Sequence, residues 1–260
     1  ICRTDKYYDG ILYPENFHMH VLEYQYGIAE AICSQGGMIF ENSMAIDVER
    51  QNSDILVTTH NGQVLAKDIV YCGSAYFNGL SSELSRSCLA VSTYVMTTKP
   101  IDPGKLSEAI TKPYAIHDNR SVDDYYRILH DNRILWGVRV GFDSKPPKNI
   151  GGLMLGNLLK IYPQLQGVEI DQVWSGLMGY GTHKMPHIRQ LRPGIWCCTH
   201  FGGRGVNATT AGGEIIASAI AEGDERYKLF EPFGLTWAGG FLGKLAGMAV
   251  CNKWRFEDYM

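Results

Sequence analysis

The stretch Ile195 to Gly223, IWCCTHFGGRGVNATTAGGEIIASAIAEG, constrains the fold more than any other, because it reads as a buried strand, a glycine-dense turn and a helix in immediate succession. Ile195 to Thr199 are apolar or small, and Gly202, Gly203 and Gly205 let the backbone bend sharply and approach a ligand closely. Ala208, Ala211, Ile215 and Ala219 then recur at helical spacing. The spacing predicts a helix from near Val206 that aims its free N–H groups back at the glycines. Such a terminus carries about half a positive charge and stabilises an anion by roughly 0.3 to 2 kcal/mol. Two readings stay open from this segment alone: a ligand cradle, or a tight turn that only packs helix on strand.

Two nucleotide motifs are tested and fail. Gly203, Gly205 and Ala208 satisfy the G-x-G-x-x-A pattern, but the dinucleotide fingerprint also needs a following parallel strand that ends in an acidic residue. Glu222 and Asp224 lie at about the right distance, yet they come directly off the helix end. No Lys-Ser or Lys-Thr pair follows the glycines, so the phosphate-binding P-loop pattern fails as well.

At 260 residues and 45% hydrophobic, the chain can bury the core of one large or two modest domains. A net charge of -3 with interspersed signs gives no basic stripe for nucleic acid and no polybasic membrane patch, so a small-molecule partner is expected. The longest charge-free apolar stretches, such as Pro232 to Gly243, fall far short of the ~20 residues needed to span a bilayer. A soluble, cytoplasmic protein is expected. The seven cysteines are odd in number, form no C-x-x-C pair and read as reduced core residues. Neighbours in a strand point to opposite faces, which argues against a redox pair at Cys197 and Cys198. His183 with His187, and His18 with His20, have half-site spacing for zinc but no further ligand set, so no metal is expected.

The chain opens ICRTDKYYDG, with no initiator methionine, signal peptide or capping signal, and reads as the continuation of a longer polypeptide. Leu22 to Ser34 is predicted helical and stops at Gly36-Gly37, and Gly37 to Val48 is predicted to be a strand. Ile55 to His60 and Gln63 to Ala66 flank Asn61-Gly62, a strong hairpin signal. Asp68 to Cys72 is a short apolar strand running into Gly73-Ser74-Ala75, a second strand-to-glycine junction far from the first. Further strands are expected at Ser92 to Thr98, Ile134 to Val140 and Val168 to Ser175, with helices at Leu153 to Tyr162 and Leu242 to Phe256.

The collinear order of GMIFENSMAIDVE, the Asn-Gly hairpin, KDIVYCGSAYFNGL, VSTYVMTTKPI, YPQLQGVEIDQVWSGLMGYGTHKMPHI and THFGGRGVNATTAGGEIIASAI resembles the latter two-thirds of the D-amino-acid oxidase superfamily of flavoproteins. HMHVLEYQYGIAEAI, Tyr71 to Leu80, the turn Ala238 to Gly240 and KWRFEDY are most similar to the gamma-glutamylputrescine oxidase branch, with glycine and sarcosine oxidases more distant. The resemblance implies an α/β (mixed α+β) fold. In it an incomplete FAD-binding domain, 11–84 and 176–260, is interleaved with a substrate domain on a large mixed β-sheet, 1–10 and 85–175. It implies oxidation of the C–N bond of a small amine or amino acid to an imine, with FAD as hydride acceptor.

By the same resemblance, Gly202, Gly203, Arg204, Gly205, Val206 and Asn207 lie at the flavin pyrimidine edge, Cys72, Gly73 and Ser74 along the diphosphate and ribitol, and Ala45 beside the adenine. Trp136, Arg139, Trp174 and His183 are candidates for the substrate pocket, with no catalytic residue assigned. The family's amino-terminal βαβ unit is absent from the sequence and stands as a missing partner segment. His200 replaces a usual glycine, Arg204 a common histidine and Val21 a common proline. Where some members bind flavin covalently through cysteine, this chain has Leu177 and Met178, so non-covalent FAD is expected. A catalytically inert remnant or binding subunit of the same fold is the alternative.

Overall fold

The computed structural model describes residues 1–77, 79–142 and 147–258, without the side chains of 138–140. In chain order, α1 (Val21–Ser34) is followed by β1 (Ala45–Gln51), β2 (Asp54–Thr59), β3 (Gln63–Ala66), β4 (Ile69–Tyr71) and the short α2 (Ser82–Arg86). Then come β5 (Leu89–Thr98), α3 (Pro103–Ser107), β6 (Ile116–His117), β7 (Tyr125–Ile128), β8 (Ile134–Gly141) and α4 (Ile150–Ile161). The last elements are β9 (Ile170–Tyr180), β10 (His187–Arg192), β11 (Ile195–Thr199), α5 (Gly205–Glu222) and α6 (Gly240–Glu257). The mixed α/β class expected from the sequence is what forms. Among the described residues no helix is long and apolar enough to cross a membrane.

The chain divides into two compact units, one of Ile1–Met19, Val91–Gly176 and Leu245–Met260, the other of His20–Ala90 and Leu177–Lys244. Compared with the expected boundaries, 11–19, 245–260 and Gly176 group with the sheet-rich unit, and 85–90 with the other. Local packing explains the second shift. Gly247 of α6 sits so close to the Phe142 ring that a Cβ there would lie 2.5 Å from it, and Asp258 accepts hydrogen bonds from the backbone of Ser121 and Val122.

The first unit is built on a five-stranded sheet ordered β6-β7-β8-β5-β9. The face of α4 carrying Ile150, Met154, Leu158 and Ile161 is buried in the same core as Trp136, Tyr126 and Tyr94. This is the amphipathic spacing that the sequence shows, with Asn149 capping the helix three residues earlier than predicted. β9 runs five residues past its expected end, through Gly176 and Gly179 to Tyr180.

The second unit holds two three-stranded sheets, β1-β2-β3 and β10-β11-β4. The hairpin of β2 and β3 turns at Asn61-Gly62 as expected. The predicted strand from Gly37 is corrected, because 37–44 is irregular and β1 begins at Ala45. Gly36 takes φ 83° and Asn42 φ 54°, left-handed conformations that a strand cannot contain. β11 pairs antiparallel with β10 and parallel with β4. Cys198 packs with Ile216 and Ala219 of α5, while Cys197 packs with Phe77 and Leu84. The two cysteines therefore face opposite sides of one strand, and burial pushes both thiols up to about 12, so they stay protonated and inert.

Candidate functional site

Because β4 and β11 run parallel, with Ile69 opposite Ile195 and Tyr71 opposite Cys197, both strands end at the same edge of their sheet. The two glycine junctions, distant in sequence, are thereby brought together. The backbone N–H of Ser74 donates to Thr199 Oγ1 at 3.0 Å. Ser74 Oγ accepts from Gly179 N–H at 3.1 Å, and Gly202 N–H donates to the Gly179 carbonyl at 2.9 Å. Three chain segments are tied at one point, outside the carboxyl ends of parallel strands, where open α/β sheets bind their ligands.

Each junction bends through a left-handed residue. Ser74 takes φ 49° and His200 φ 57°, a conformation costing a non-glycine residue roughly 1 to 2 kcal/mol. Gly202 follows at φ 62°, and its missing side chain is required twice over, since a Cβ would lie 2.8 Å from Tyr180 Cε1. His200, where the resemblance implies a glycine, is held in this left-handed conformation.

α5 begins at Gly205, one residue before the predicted start. Its N-cap, Arg204, makes no side-chain capping bond, so the first-turn amides and their share of the helix dipole remain available. A Cβ on Gly205 would meet nothing within 4 Å. At Gly205 the mouth of the helix is therefore clear of side chains, while at Gly203 the Tyr180 hydroxyl lies 2.9 Å from where a Cβ would sit. Ala45, Cys72 and Gly73 line a separate apolar cavity of about 270 Å³ with Tyr71, Tyr76 and Phe77. Most of the residues expected to contact a cofactor thus fall into two clusters of one unit, with Ser74 bonded between them.

Beneath the junction lie three imidazoles. His187 and His200 are 1% exposed, with ring centroids 5.1 Å apart, and His183 is 5.0 Å from His187. Met185 N–H donates to His183 Nδ1 at 3.1 Å, which leaves Nε2 protonated to donate to the Gly234 carbonyl. His183 has both nitrogens engaged by backbone, and it did not need a substrate role to be fixed there. His187 and His200 have no ring hydrogen bond of good geometry, although the Ser74 backbone lies near enough to His200 to favour its charged form slightly. Burial dominates and lowers His187 to about 3 and His200 to about 4. In the sequence His187 is marked only by its spacing from His183 and His200 only by its departure from glycine, and nothing there pairs the two.

The other pocket candidates are placed as follows. Trp136 is fully buried and stacks on Tyr126 at 4.2 Å, with an interplanar angle of 9°. Trp174 lies in β9 and is 44% exposed. The side chain of Arg139 lies outside the described residues. His20, whose spacing from His18 has no further ligand set beside it, caps α1 by accepting from Glu23 N–H, and His18 is engaged with Arg127 and the Pro113 carbonyl. Among the described residues no group of three or more His, Cys, Asp or Glu side chains is placed to hold a metal ion.

Comparisons with known proteins agree with this architecture. Residues 2–219 match the DAO family, described as FAD dependent oxidoreductase. The chain is 32% identical to the probable oxidoreductase OrdL of Haemophilus influenzae over 98% of its own length and 60% of that protein's. It is also 32% identical to the gamma-glutamylputrescine oxidoreductase of Escherichia coli, over 87% of its length and 53% of that protein's. Its fold is similar to the crystal structure of glycine oxidase from Geobacillus kaustophilus, with a TM-score of 0.68 at 19% identity, over 81% of this chain and 56% of that one. The chain thus spans little more than half the length of these relatives. A parallel strand pair ending in two glycine turns, an uncapped helix mouth beside them and a family match over most of the sequence lead to one conclusion: the chain belongs to the DAO family of FAD-dependent oxidoreductases.

Proposed function

We propose that the protein binds FAD without a covalent link and oxidises the C–N bond of a small amine or amino acid to an imine. The Ser74 to Thr199 hydrogen bond carries this reading, because it places the open α5 mouth and the Cys72 to Ser74 turn at one edge of one sheet. The residues suit the cofactor. The uncapped amides of Gly205, Val206 and Asn207 would meet the electron-rich pyrimidine edge, with no side chain at Gly203 or Gly205 to hold it off. Cys72, Gly73 and Ser74 would lie along the diphosphate and ribitol, and Ala45 beside the adenine.

When bound, FAD supplies the acceptor for a hydride equivalent from the carbon next to the substrate nitrogen. The chain's own part is electrostatic and geometric. A positive helix terminus favours the charge that gathers as electrons arrive, and His187 and His200, held neutral by burial, leave that task to the helix. That a relative of comparable identity is named for gamma-glutamylputrescine supports an amine substrate, taken up as the neutral amine.

The experiment is flavin binding followed by turnover. The chain as given, and the same chain preceded by the amino-terminal portion of its OrdL relative, are titrated with FAD and scored by the visible flavin band. Retained flavin that bleaches anaerobically on adding gamma-glutamylputrescine, glycine or sarcosine supports the proposal. Two colourless proteins with no affinity for FAD would sink it.

A further inference from the structure

We infer that the groove between α4 and the C-terminal segment 255–258 binds a small organic anion, a carboxylate carried on a short aliphatic body. The groove encloses about 330 Å³, at the lower end of small-molecule sites, and it lies wholly within the sheet-rich unit. It is independent of the flavin reading.

Its wall is the face of α4 that bears Leu153, Gly156, Asn157 and Lys160, spaced three and four residues apart. The adjacent face, with Met154 and Leu158, is spent on the core. Glycine inside a helix costs about 0.5 to 1 kcal/mol relative to alanine, so each one calls for a reason. Gly152 has a local one, since a Cβ there would lie 2.6 Å from the capping Asn149 side chain. Gly156 has none in the packing, because a Cβ would meet nothing within 4 Å. What its missing side chain does is hold the groove open.

The charges converge on the same space. Arg120, Lys160 and Arg255 face one carboxylate, Asp258. Asp258 is already engaged, with its two oxygens accepting from Ser121 N–H at 2.9 Å and Val122 N–H at 3.1 Å. Arg120 is braced from behind: Nε donates to Asp118 Oδ2 at 2.9 Å, and Nη2 reaches both Asp118 and Asp124. That leaves Nη1 without a partner among the described residues, on a guanidinium whose orientation is set. The Lys160 ammonium and the Asn157 amide likewise make no hydrogen bond or ion pair among the described residues. Three donors on one side and Val122, Ile150 and Leu153 on the other match an amphipathic carboxylate. Inorganic phosphate would forgo the apolar wall, and an amine would meet the wrong sign.

The test is an amide-shift titration of the isotope-labelled chain with hexanoate, with hexylamine and inorganic phosphate as comparison probes. Saturable shifts confined to 150–160 and 120–122 with hexanoate, absent with hexylamine and weaker with phosphate, are expected. Lys160→Ala should weaken hexanoate by about two- to fivefold, the scale of one exposed charge contact. Gly156→Leu should fill the groove and abolish the shifts while melting at or above the parent temperature. No saturable response, an equal response to hexylamine or phosphate, or unchanged binding in a folded Gly156→Leu variant would each overturn the inference.

Discussion

Ser74 and Thr199, 125 residues apart in sequence, are joined by a 3.0 Å hydrogen bond from the Ser74 backbone N–H to the Thr199 hydroxyl oxygen. Thr199 is 1% exposed and Ser74 half-buried, so removing that oxygen leaves the donor with limited access to water. Thr199→Val keeps the shape and deletes the acceptor. It should destabilise the chain by about 1 to 3 kcal/mol in urea unfolding, with Thr199→Ser close to the parent. A Val variant as stable as the parent would mean that the two junctions are not held by this bond.

Acid should unfold the unit that holds His187 and His200. Both are held neutral in the folded chain, at about 3 and about 4, chiefly by burial, with His200, His183 and Arg189 adding to the shift of His187 and His183 to that of His200. An unfolded chain takes up protons on them once the pH falls below about 6.5. The folded state is therefore favoured fully above that value, and its advantage is lost as pH falls from 6.5 towards 4. The expected slope is about 1.4 kcal/mol per pH unit for each imidazole. Denaturant midpoints measured from pH 7 to 4 in the parent and in His187→Leu/His200→Leu check this, and the double variant should show a flatter profile.

Trp136 should behave as a core residue. It stacks on Tyr126 in the core that also holds Asp124, whose carboxyl burial pushes above its usual range against the pull of Arg120. Trp136→Ala should cost about 3 to 5 kcal/mol by calorimetry or denaturant unfolding. A loss below 1 kcal/mol would show that the ring is not packed as described.

Gly202 and Gly205 should part company. At φ 62° and with Tyr180 beneath it, Gly202→Ala should destabilise by about 1 to 3 kcal/mol. Gly205→Ala enters open space at a helix start and should leave stability within about 0.5 kcal/mol, while weakening FAD in the flavin titration. Thermal melts of the two variants side by side separate the roles.

What was legible in the sequence is what local chemistry sets. Asn61-Gly62 marks a hairpin turn and it forms, although neither residue takes a left-handed φ; the Thr59 hydroxyl oxygen accepts from both of their backbone N–H groups. The glycine run after Thr199 cannot continue a strand, and a helix follows within a residue of where the apolar spacing puts it. The spacing in α1 likewise predicts its helix, but not its burial: Leu22 and Tyr26 lie exposed, and no residue of that helix is buried.

Trp136 shows the same limit from the other side. An aromatic residue on an alternating strand can serve a core or a pocket, and only the partner strands decide which. By itself the sequence determined the turns, the helices, the family resemblance and the two glycine junctions. The tertiary structure alone decided that β4 lies parallel to β11, so that both junctions open at one edge, and that His187 and His200 meet edge to face. The reason is physical: turn and helix preferences act over a few neighbouring residues, whereas strand partners are chosen by burial summed over residues more than a hundred positions apart.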